Sequence, residues 1–343
     1  MRSNLQEVVD ESLIPGAVIL IAKQGEIILH EAVGKRQQVP KDIGMTRDTI
    51  FDLASLTKVI ATWPAICRLL ASDILRLEGR VADYIDGTSM SPAAQVSIRQ
   101  LLTHTAGLPA STFVQQFGSS NQAIVSGICS SPLEYEPGKR VVYSNRGFIL
   151  LGAIIEAVSK QTLDQYVFEQ IWRPAGMTET CFNPHPSFFH RVAPTEYRAA
   201  LNACQLGIVH DENAAWMGGV AGHAGVFSTS QDLAAFCAMI MAGGIRKDGA
   251  VLENQIIQNS LCNQTEGLSE SRGYAWVAAE ETSSRGTTLA VYGHKGYTGT
   301  AIWLVPSLDM FVILLTNRVH PSRDNSAGIQ QLRTEVLRAS LAL

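Results

Sequence analysis

FDLASLTK, at residues 51–58, places Ser55 and Lys58 three positions apart. On a helix this spacing puts both side chains on one face. A serine hydroxyl is a poor nucleophile until a base takes its proton, and a neutral lysine amine can be that base. The apolar residues around the pair predict a buried setting and a helix that continues beyond it. The stretch therefore predicts a nucleophilic serine near the start of a helix.

The same pattern has a second interpretation. A chain of this length contains about one S-x-x-K by chance, and an N-capping serine followed by a solvated lysine would look identical. The remaining motifs decide between the two.

Composition is that of an ordinary globular protein. The 343 residues are 46% hydrophobic and 17% charged, with a formal net charge of −4. Disordered and fibrous classes are excluded, and the interspersed charges indicate no nucleic-acid partner. No apolar run reaches the roughly 20 residues that cross a bilayer. The composition favours chemistry on a small molecule or a peptide, and it indicates no oligomeric state.

Two further expectations concern the cellular setting. The six cysteines are widely spaced, form no C-x-x-C pair and are expected to be buried free thiols. The N-terminus lacks a charged segment followed by an apolar core and a cleavage site, which predicts a cytoplasmic protein. If an export signal had been removed, a periplasmic or extracellular location would follow instead.

Strand patterns lie at both ends of the chain. The apolar run 17–22 predicts a buried strand that forms a hairpin with 27–33. Further strands are predicted over 274–279, 288–294, 300–305 and 310–316.

Helical spacing occupies the middle of the chain and both termini. The predicted helices are 5–13, 50–77 with a break at Pro64, 97–104, 147–159, 163–172, 231–242 and 325–343. The simplest arrangement is an α+β fold in which both ends share one antiparallel sheet and a helical domain is inserted. We expect one domain from 1–60 plus 270–343, a mainly helical domain from 61–269, and the active site in the cleft between them.

Two more motifs could join the serine and the lysine. Tyr143-Ser144-Asn145 is the only Y-x-N in the chain. Its tyrosine could exchange a proton with Lys58, and its asparagine could orient the lysine or bind a substrate carbonyl; a helix cap is the alternative. GHKGYTG at 293–299 lies on a predicted strand edge, where its glycines would allow close approach of a substrate backbone.

The order S-x-x-K, Y-x-N and strand-borne basic-x-Gly resembles that of the serine β-lactamases and penicillin-binding proteins. The Y-x-N form is similar to class C β-lactamases and to related carboxylesterases, D-amino-acid peptidases and cell-wall amidases. Four other segments also resemble this family: IPGA at 14–17, LLTHTAGL at 101–108, GM at 176–177 and LTNR at 315–318. The resemblance covers nearly the whole chain.

This resemblance implies a β-lactamase/transpeptidase-like fold and an acyl-enzyme mechanism that needs no metal and no other cofactor. Ser55 would be the nucleophile, while Lys58 and Tyr143 would share the roles of general base and general acid. The N–H groups of Ser55 and Tyr297 would bind the oxyanion. Substrate binding would fall to Asn145, His294, Lys295, Gly296 and Tyr297.

The third motif departs from the family pattern. β-Lactamases and peptidases usually carry Lys-Thr-Gly, whereas His294-Lys295-Gly296 is similar to the His-Thr-Gly of the esterase-like branch. Alternation along a strand sends His294 and Lys295 to opposite faces. Either Lys295 faces the substrate and selects a carboxylate, or it is a solvated edge lysine.

The histidines outside the third motif are not predicted to be catalytic. His104 is expected to be structural. The segments 210–213 and 218–225 combine His, carboxylates and glycines without metal-ligand spacing, and resemble a wall of the family's cleft.

The sequence thus predicts a serine hydrolase that acts through an acyl-enzyme on small esters or amides. A β-lactamase, or a peptidase or amidase specific for D-amino acids or muropeptides, is the alternative within the family. An inert protein that binds penicillin or another ligand is the alternative of a different class.

Overall fold

A central antiparallel sheet joins the two ends of the chain. In a computed structural model, residues 14–246, 249–283, 286–324 and 327–343 are described, so the predicted helix 5–13 lies outside them. The strands are β1 (Gly16–Lys23), β2 (Glu26–Gln37), β3 (Ile43–Gly44), β4 (Phe51–Asp52), β5 (Cys181–Phe182), β6 (Tyr197–Arg198), β7 (Ala203–Cys204), β8 (Val226–Ser228), β9 (Ile245–Arg246), β10 (Gly249–Ala250), β11 (Val277–Thr282), β12 (Thr288–Lys295), β13 (Ala301–Val305) and β14 (Met310–Thr316). Seven of them form the main sheet, in the order β11-β12-β13-β14-β1-β2-β3.

Strand β1 shows why the sheet lies in the middle of the protein. Alternate side chains of a strand point to opposite faces. Val18 and Leu20 enter the larger apolar core together with the helical region. Ile19 and Ile21 enter a second core beneath the C-terminal helix, Ala327–Leu341. Both faces are covered, which explains the unbroken apolar run that predicted a buried strand.

Helices fill the middle of the chain as predicted. Helix Asn145–Ser159, with nine buried residues, packs in the larger core. The α-helices are Trp63–Ala71, Val81–Tyr84, Ile98–Leu102, Asn121–Ser130, Asn145–Ser159, Leu163–Val167, Arg173–Ala175, Glu212–Trp216, Ser230–Met241, Asn254–Leu261 and Ala327–Leu341. Wider π-helical turns span Lys58–Thr62 and Phe168–Trp172, and 3₁₀ turns span Ala54–Leu56, Pro92–Gln95, Val114–Phe117, Pro186–Phe188, Ala199–Leu201 and Pro306–Leu308.

The predicted helix 50–77 is wrong at its beginning. Phe51–Asp52 is a strand that pairs with Val226–Ser228, and the helix starts only beyond it. Pro64 lies where the π turn gives way to regular α-helix, as expected of a residue that lacks an N–H donor. The apolar spacing of this segment thus reflects burial of a strand followed by a helix.

Two other bounds are also wrong, since the helix predicted to reach residue 77 ends at Ala71 and the strand predicted over 274–279 begins at Val277. The remaining predictions are largely confirmed. The antiparallel sheet formed by the two ends and the inserted helices agree with the predicted α+β class. The domain boundaries at residues 60 and 270 stay a prediction. Cys67, Cys129 and Cys237 are buried free thiols, but Cys262 is exposed, against expectation. Among the described residues, no helix has the length and apolarity to cross a membrane.

Candidate active site

Lys58 is the centre of a buried polar cluster. Its side chain is fully buried, and Nζ donates hydrogen bonds to Ser55 Oγ at 3.0 Å, Asn145 Oδ1 at 2.9 Å and the His223 carbonyl at 3.2 Å. Asn145 and His223 lie 87 and 165 residues away from Lys58 along the chain. The fold therefore brings S-x-x-K and Y-x-N together at one point.

The strand before the serine determines where its hydroxyl lies. Leu53 N–H donates to the Val226 carbonyl at 2.9 Å, which continues the pairing of β4 with β8. Ala54 then adopts φ +47°, a left-handed conformation that non-glycine residues rarely occupy. A 3₁₀ turn follows over Ala54–Leu56. This strand-to-helix turn presents a partly exposed Ser55 beside the buried amine of Lys58.

Asp52 is a buried carboxylate beneath this turn. Its oxygens accept N–H bonds from Ala54 at 2.8 Å and His210 at 2.6 Å. Burial raises the pKa of Asp52 to about 6, although both hydrogen bonds favour the charged form. Asp52 therefore ties the turn of the nucleophile to the segment 210–213.

The turn between β12 and β13 is attached to the same stretch. Thr298 Oγ1 donates to the Asp52 carbonyl at 2.7 Å, and Thr300 Oγ1 donates to the Leu53 carbonyl at 3.1 Å. From the other side, Arg333 of the C-terminal helix donates to the carbonyls of Gly296 and Thr300. These bonds hold Tyr297, which lies between Gly296 and Thr298, next to the segment that carries Ser55.

Gly296 is required by the closeness of this attachment. A Cβ atom built there would lie 2.5 Å from the Leu53 carbonyl oxygen and would also collide with Thr300 Oγ1. Glycine at this position thus makes room for the protein's own backbone. The contact of Gly296 with a substrate stays a prediction.

We expect Gly296→Ala to destabilise the protein by about 2 kcal/mol, since overpacking of a close contact typically costs 1–3 kcal/mol. Turnover should fall at least tenfold, because the shift separates Tyr297 from Ser55. Denaturant unfolding and initial rates would measure both effects. Gly44→Ala is the matched control, because nothing lies within 4 Å of a Cβ there. Equal behaviour of the two variants would contradict this role of Gly296.

Aromatic rings surround the amine of Lys58. Nζ lies 4.8 Å from the centroid of the Tyr143 ring and 5.5 Å from that of Phe148. The Tyr143 ring is 4.5 Å from His104 and 6.2 Å from His294, centroid to centroid. Tyr143 is 37% exposed, so it lies between the buried lysine and the open cleft.

Both histidine rings beside Tyr143 are uncharged at neutral pH. Burial, followed by the charges of Arg272 and Lys58, holds the pKa of His104 well below its usual value. Burial, followed by Lys58 and Arg272, does the same for the pKa of His294. His294 therefore cannot supply the positive charge that the lysine of a Lys-Thr-Gly motif would carry at this position.

The depressed pKa of His104 predicts a loss of stability in acid. As the pH falls, the unfolded chain takes up a proton at this residue before the folded protein does, so the folded state loses stability in acid. Asparagine tolerates the left-handed backbone at position 104, where φ is +58°. We expect His104→Asn to reduce the loss of stability between pH 6 and pH 5. Denaturant unfolding would measure it, with exposed His190→Asn as the control; an unchanged pH dependence would contradict the prediction.

Asp211 and His223 form a polar layer behind the lysine. His223 is fully buried, and its Nε2 lies 3.0 Å from Asp211 Oδ1, which also accepts the Ala214 N–H at 2.9 Å. Burial opposes ionisation of Asp211, but His223, Ala214 N–H and Lys58 together lower the pKa of its carboxyl below the ordinary value. The Asp211 carboxylate is therefore an anion close enough to interact with the amine of Lys58. The His223 carbonyl orients that amine by accepting its hydrogen bond.

Lys295 does not share the face of His294. Val291 and Leu289, which are two and three alternate positions before Lys295, pack in the core beneath the C-terminal helix, whereas Tyr292 packs against the helical region. Lys295 is exposed at the strand edge. This placement argues against direct contact with a substrate on the His294 side of the strand.

Tyr297 has an exposed side chain on the other side of the serine. Its ring is 52% exposed and stacks on His210 at 5.7 Å between centroids, with the Arg318 guanidinium 4.6 Å from its centroid. The roles predicted for its N–H group and for that of Ser55 stay predictions.

Several residues of the site were missed in the sequence. Asp52 is one, although a single carboxylate inside an apolar stretch was a usable signal. Arg272 is another, since its guanidinium carbon lies 5.6 Å from the Tyr143 ring centroid and no motif marks it. The backbone carbonyls of Gly222 and His223 accept hydrogen bonds from Thr62 Oγ1, at 2.6 Å, and from Lys58 Nζ. A motif of side chains cannot reveal such backbone contacts.

The chain is similar in sequence to proteins of two bacteria. A protein of Escherichia coli strain K12 named "Putative D-alanyl-D-alanine carboxypeptidase" is 32% identical over 347 aligned residues, covering 89% of this chain and 79% of that protein. A protein of Salmonella typhi with the same name is 30% identical over 342 residues, with the same coverage.

Solved structures share the fold. The class C β-lactamase from Rhodobacter sphaeroides superposes with a TM-score of 0.78 at 19% identity, covering 98% of this chain and 99% of that one. EstCE1, described as a hydrolase with promiscuous acyltransferase activity, has a TM-score of 0.77 at 21% identity, covering 99% and 97%. These similarities confirm the predicted β-lactamase/transpeptidase-like fold. Residues 1–335 match the Beta-lactamase family, and the chain belongs to that family.

Proposed function

We propose that the protein is a serine hydrolase that transfers an acyl group from a small ester or amide to Ser55 and then to water. The observation that carries this proposal is the contact between a fully buried lysine amine and a serine hydroxyl, 3.0 Å apart. An inert binding protein would have no need to bury a lysine, which is costly unless the charge is compensated.

The hydrogen bonds of Lys58 suggest how the proton moves. A charged ammonium has three donors, and here each has an acceptor. A neutral amine has two donors and a lone pair, so it can keep Asn145 and the His223 carbonyl while accepting the proton of Ser55. Attack then forms the bond from Oγ to the carbonyl carbon, and the leaving group departs with a proton delivered through Lys58 and Tyr143. Water reverses these steps and releases the acid.

The oxyanion of each step would be bound by backbone N–H groups of Ser55 and Tyr297. Support for this comes from the bonds of Thr298 and Thr300 to the segment that precedes Ser55. Donors of this kind contribute about 3 kcal/mol each to transition-state stabilisation in studied enzymes.

D-Alanyl-D-alanine carboxypeptidase activity is the second candidate. The names of the Escherichia coli and Salmonella relatives favour it, and their identity to this chain is higher than that of the esterase and β-lactamase structures. β-Lactamase activity is disfavoured by the uncharged His294 at the first position of the third motif.

Initial rates on three substrates would test the proposal. A short-chain p-nitrophenyl ester, a chromogenic cephalosporin and a peptide ending in D-Ala-D-Ala should each be corrected by the rate of Ser55→Ala. Turnover of the ester alone supports an esterase, and release of D-alanine supports the carboxypeptidase. Absence of Ser55-dependent turnover on all three would refute the hydrolase and favour a binding protein.

A further inference from the structure

His104 lies just beyond helix Ile98–Leu102, at a position where the backbone is left-handed. Its φ is +58°, and the residue is buried, with 3% of its surface exposed. Helices commonly have a glycine at this position, because a Cβ atom makes the left-handed conformation unfavourable. The chain therefore keeps a histidine side chain where the backbone alone would favour glycine.

The ring nitrogens of His104 add a second unfavourable feature. The Ser144 N–H group donates to Nδ1 at 3.2 Å, so Nδ1 carries a lone pair and the proton of the neutral ring is on Nε2. Nε2 is buried and has no hydrogen-bond acceptor among the residues the structure describes. A buried donor without an acceptor destabilises the folded state. Strained or unsatisfied groups of this kind are found where the site needs the side chain.

The contacts of His104 meet at Tyr143 and at its two neighbours in the chain. Residues 141–144 belong to neither a helix nor a strand. The His104 carbonyl accepts the Val142 N–H at 2.9 Å, and Nδ1 accepts the Ser144 N–H. Between these two bonds, the Tyr143 ring packs on the imidazole with centroids 4.5 Å apart and an angle of 34° between the planes. One residue thus holds Tyr143 before it, after it and on one face of its ring.

We propose that His104 is a positioning residue that fixes the Tyr143 hydroxyl for proton transfer with Lys58. The inference rests on the proposed hydrolase function and adds a residue to its machinery. Lys58 Nζ lies 4.8 Å from the centroid of the Tyr143 ring, so the angle of that ring decides how close its hydroxyl comes to the amine. Small displacements of a reacting group lower the rate strongly, which gives the contacts of His104 a catalytic consequence.

The variant His104→Gly separates the side chain from the backbone conformation, because glycine adopts the left-handed turn without strain. We expect it to lower kcat/KM at least tenfold on the p-nitrophenyl ester, or on whichever of the three test substrates the protein turns over. A role in the turn alone predicts no loss, since glycine serves such a turn at least as well. Lys160→Gly is the matched control and should leave the rate unchanged. Lys160 is exposed, also has φ +58° and follows helix Asn145–Ser159.

A double-mutant cycle with Tyr143→Phe shows whether the loss depends on the tyrosine hydroxyl. If it does, His104→Gly should change kcat/KM less than twofold in the Tyr143→Phe background, because no hydroxyl remains to be positioned. A general disturbance of the fold would lower the rate by the same factor in both backgrounds. Thermal unfolding should accompany each rate.

His104→Asn provides a second route through the same cycle. Its side-chain oxygen offers an acceptor near the position of Nδ1, and asparagine tolerates the left-handed backbone. It lacks the ring that packs on Tyr143, so we expect a loss of about fivefold in kcat/KM, smaller than that of His104→Gly. This variant takes the place of His104→Gly if the glycine variant does not fold.

Two results would overturn the inference while leaving the hydrolase intact. One is Ser55-dependent turnover within twofold of the parent in the folded His104 variant. The other is an equal loss of kcat/KM in the parent and in the Tyr143→Phe background. If no substrate shows Ser55-dependent turnover, the hydrolase function itself fails, and the inference fails with it.

Discussion

Lys58→Ala is expected to lower kcat/KM by about a thousandfold or more on whichever substrate the protein hydrolyses. The amine is the only described side-chain nitrogen that donates to Ser55 Oγ, and it also links that hydroxyl to Asn145. Without it, no base of the described residues lies within hydrogen-bonding distance of the serine. Initial rates beside those of Ser55→Ala would measure the loss.

The double variant gives the sharper test of a shared role. If Ser55 and Lys58 act as one unit, Ser55→Ala combined with Lys58→Ala should be no slower than Ser55→Ala alone. Thermal unfolding should accompany each rate, because removing a fully buried side chain also leaves a cavity. Folded Lys58→Ala that keeps a tenth of the parent rate would exclude Lys58 as the base.

Tyr143→Phe is expected to lower kcat/KM by about a hundredfold or more, the usual contribution of a positioned acid or base. The change removes the hydroxyl and keeps the ring, so the packing against His104 at 4.5 Å is preserved. The effect should therefore appear in turnover while the melting temperature stays close to that of the parent.

Tyr166→Phe is a suitable comparison for this variant. Tyr166 is a buried residue of the helical region, in helix Leu163–Val167, and should tolerate the change without loss of rate. If Tyr143→Phe retains activity within threefold of the parent, proton transfer would have to proceed through Lys58 alone.

Local sequence was enough to predict most elements of the fold. The run at 17–22 has no polar interruption because both faces of β1 are covered, by the helical region and by the C-terminal helix. Residues 310–316 form β14 with the predicted bounds, since every side chain there is buried. The helix predicted from residue 50 is wrong at 51–52 because a distant segment decides the structure there. The strand at 51–52 pairs with residues 226–228, and periodicity in a short window of sequence cannot show such a partner.

Residue type and spacing by themselves determined the candidates Ser55, Lys58, Tyr143 and Asn145, because the chemistry of acyl transfer limits which side chains can serve. Only the tertiary structure decided what surrounds them. The carbonyl of His223, the buried Asp52 and the cation of Arg272 reach the site from positions distant in the chain, and their effect depends on burial. Burial is a property of the folded whole, and it both keeps His294 neutral and requires glycine at position 296.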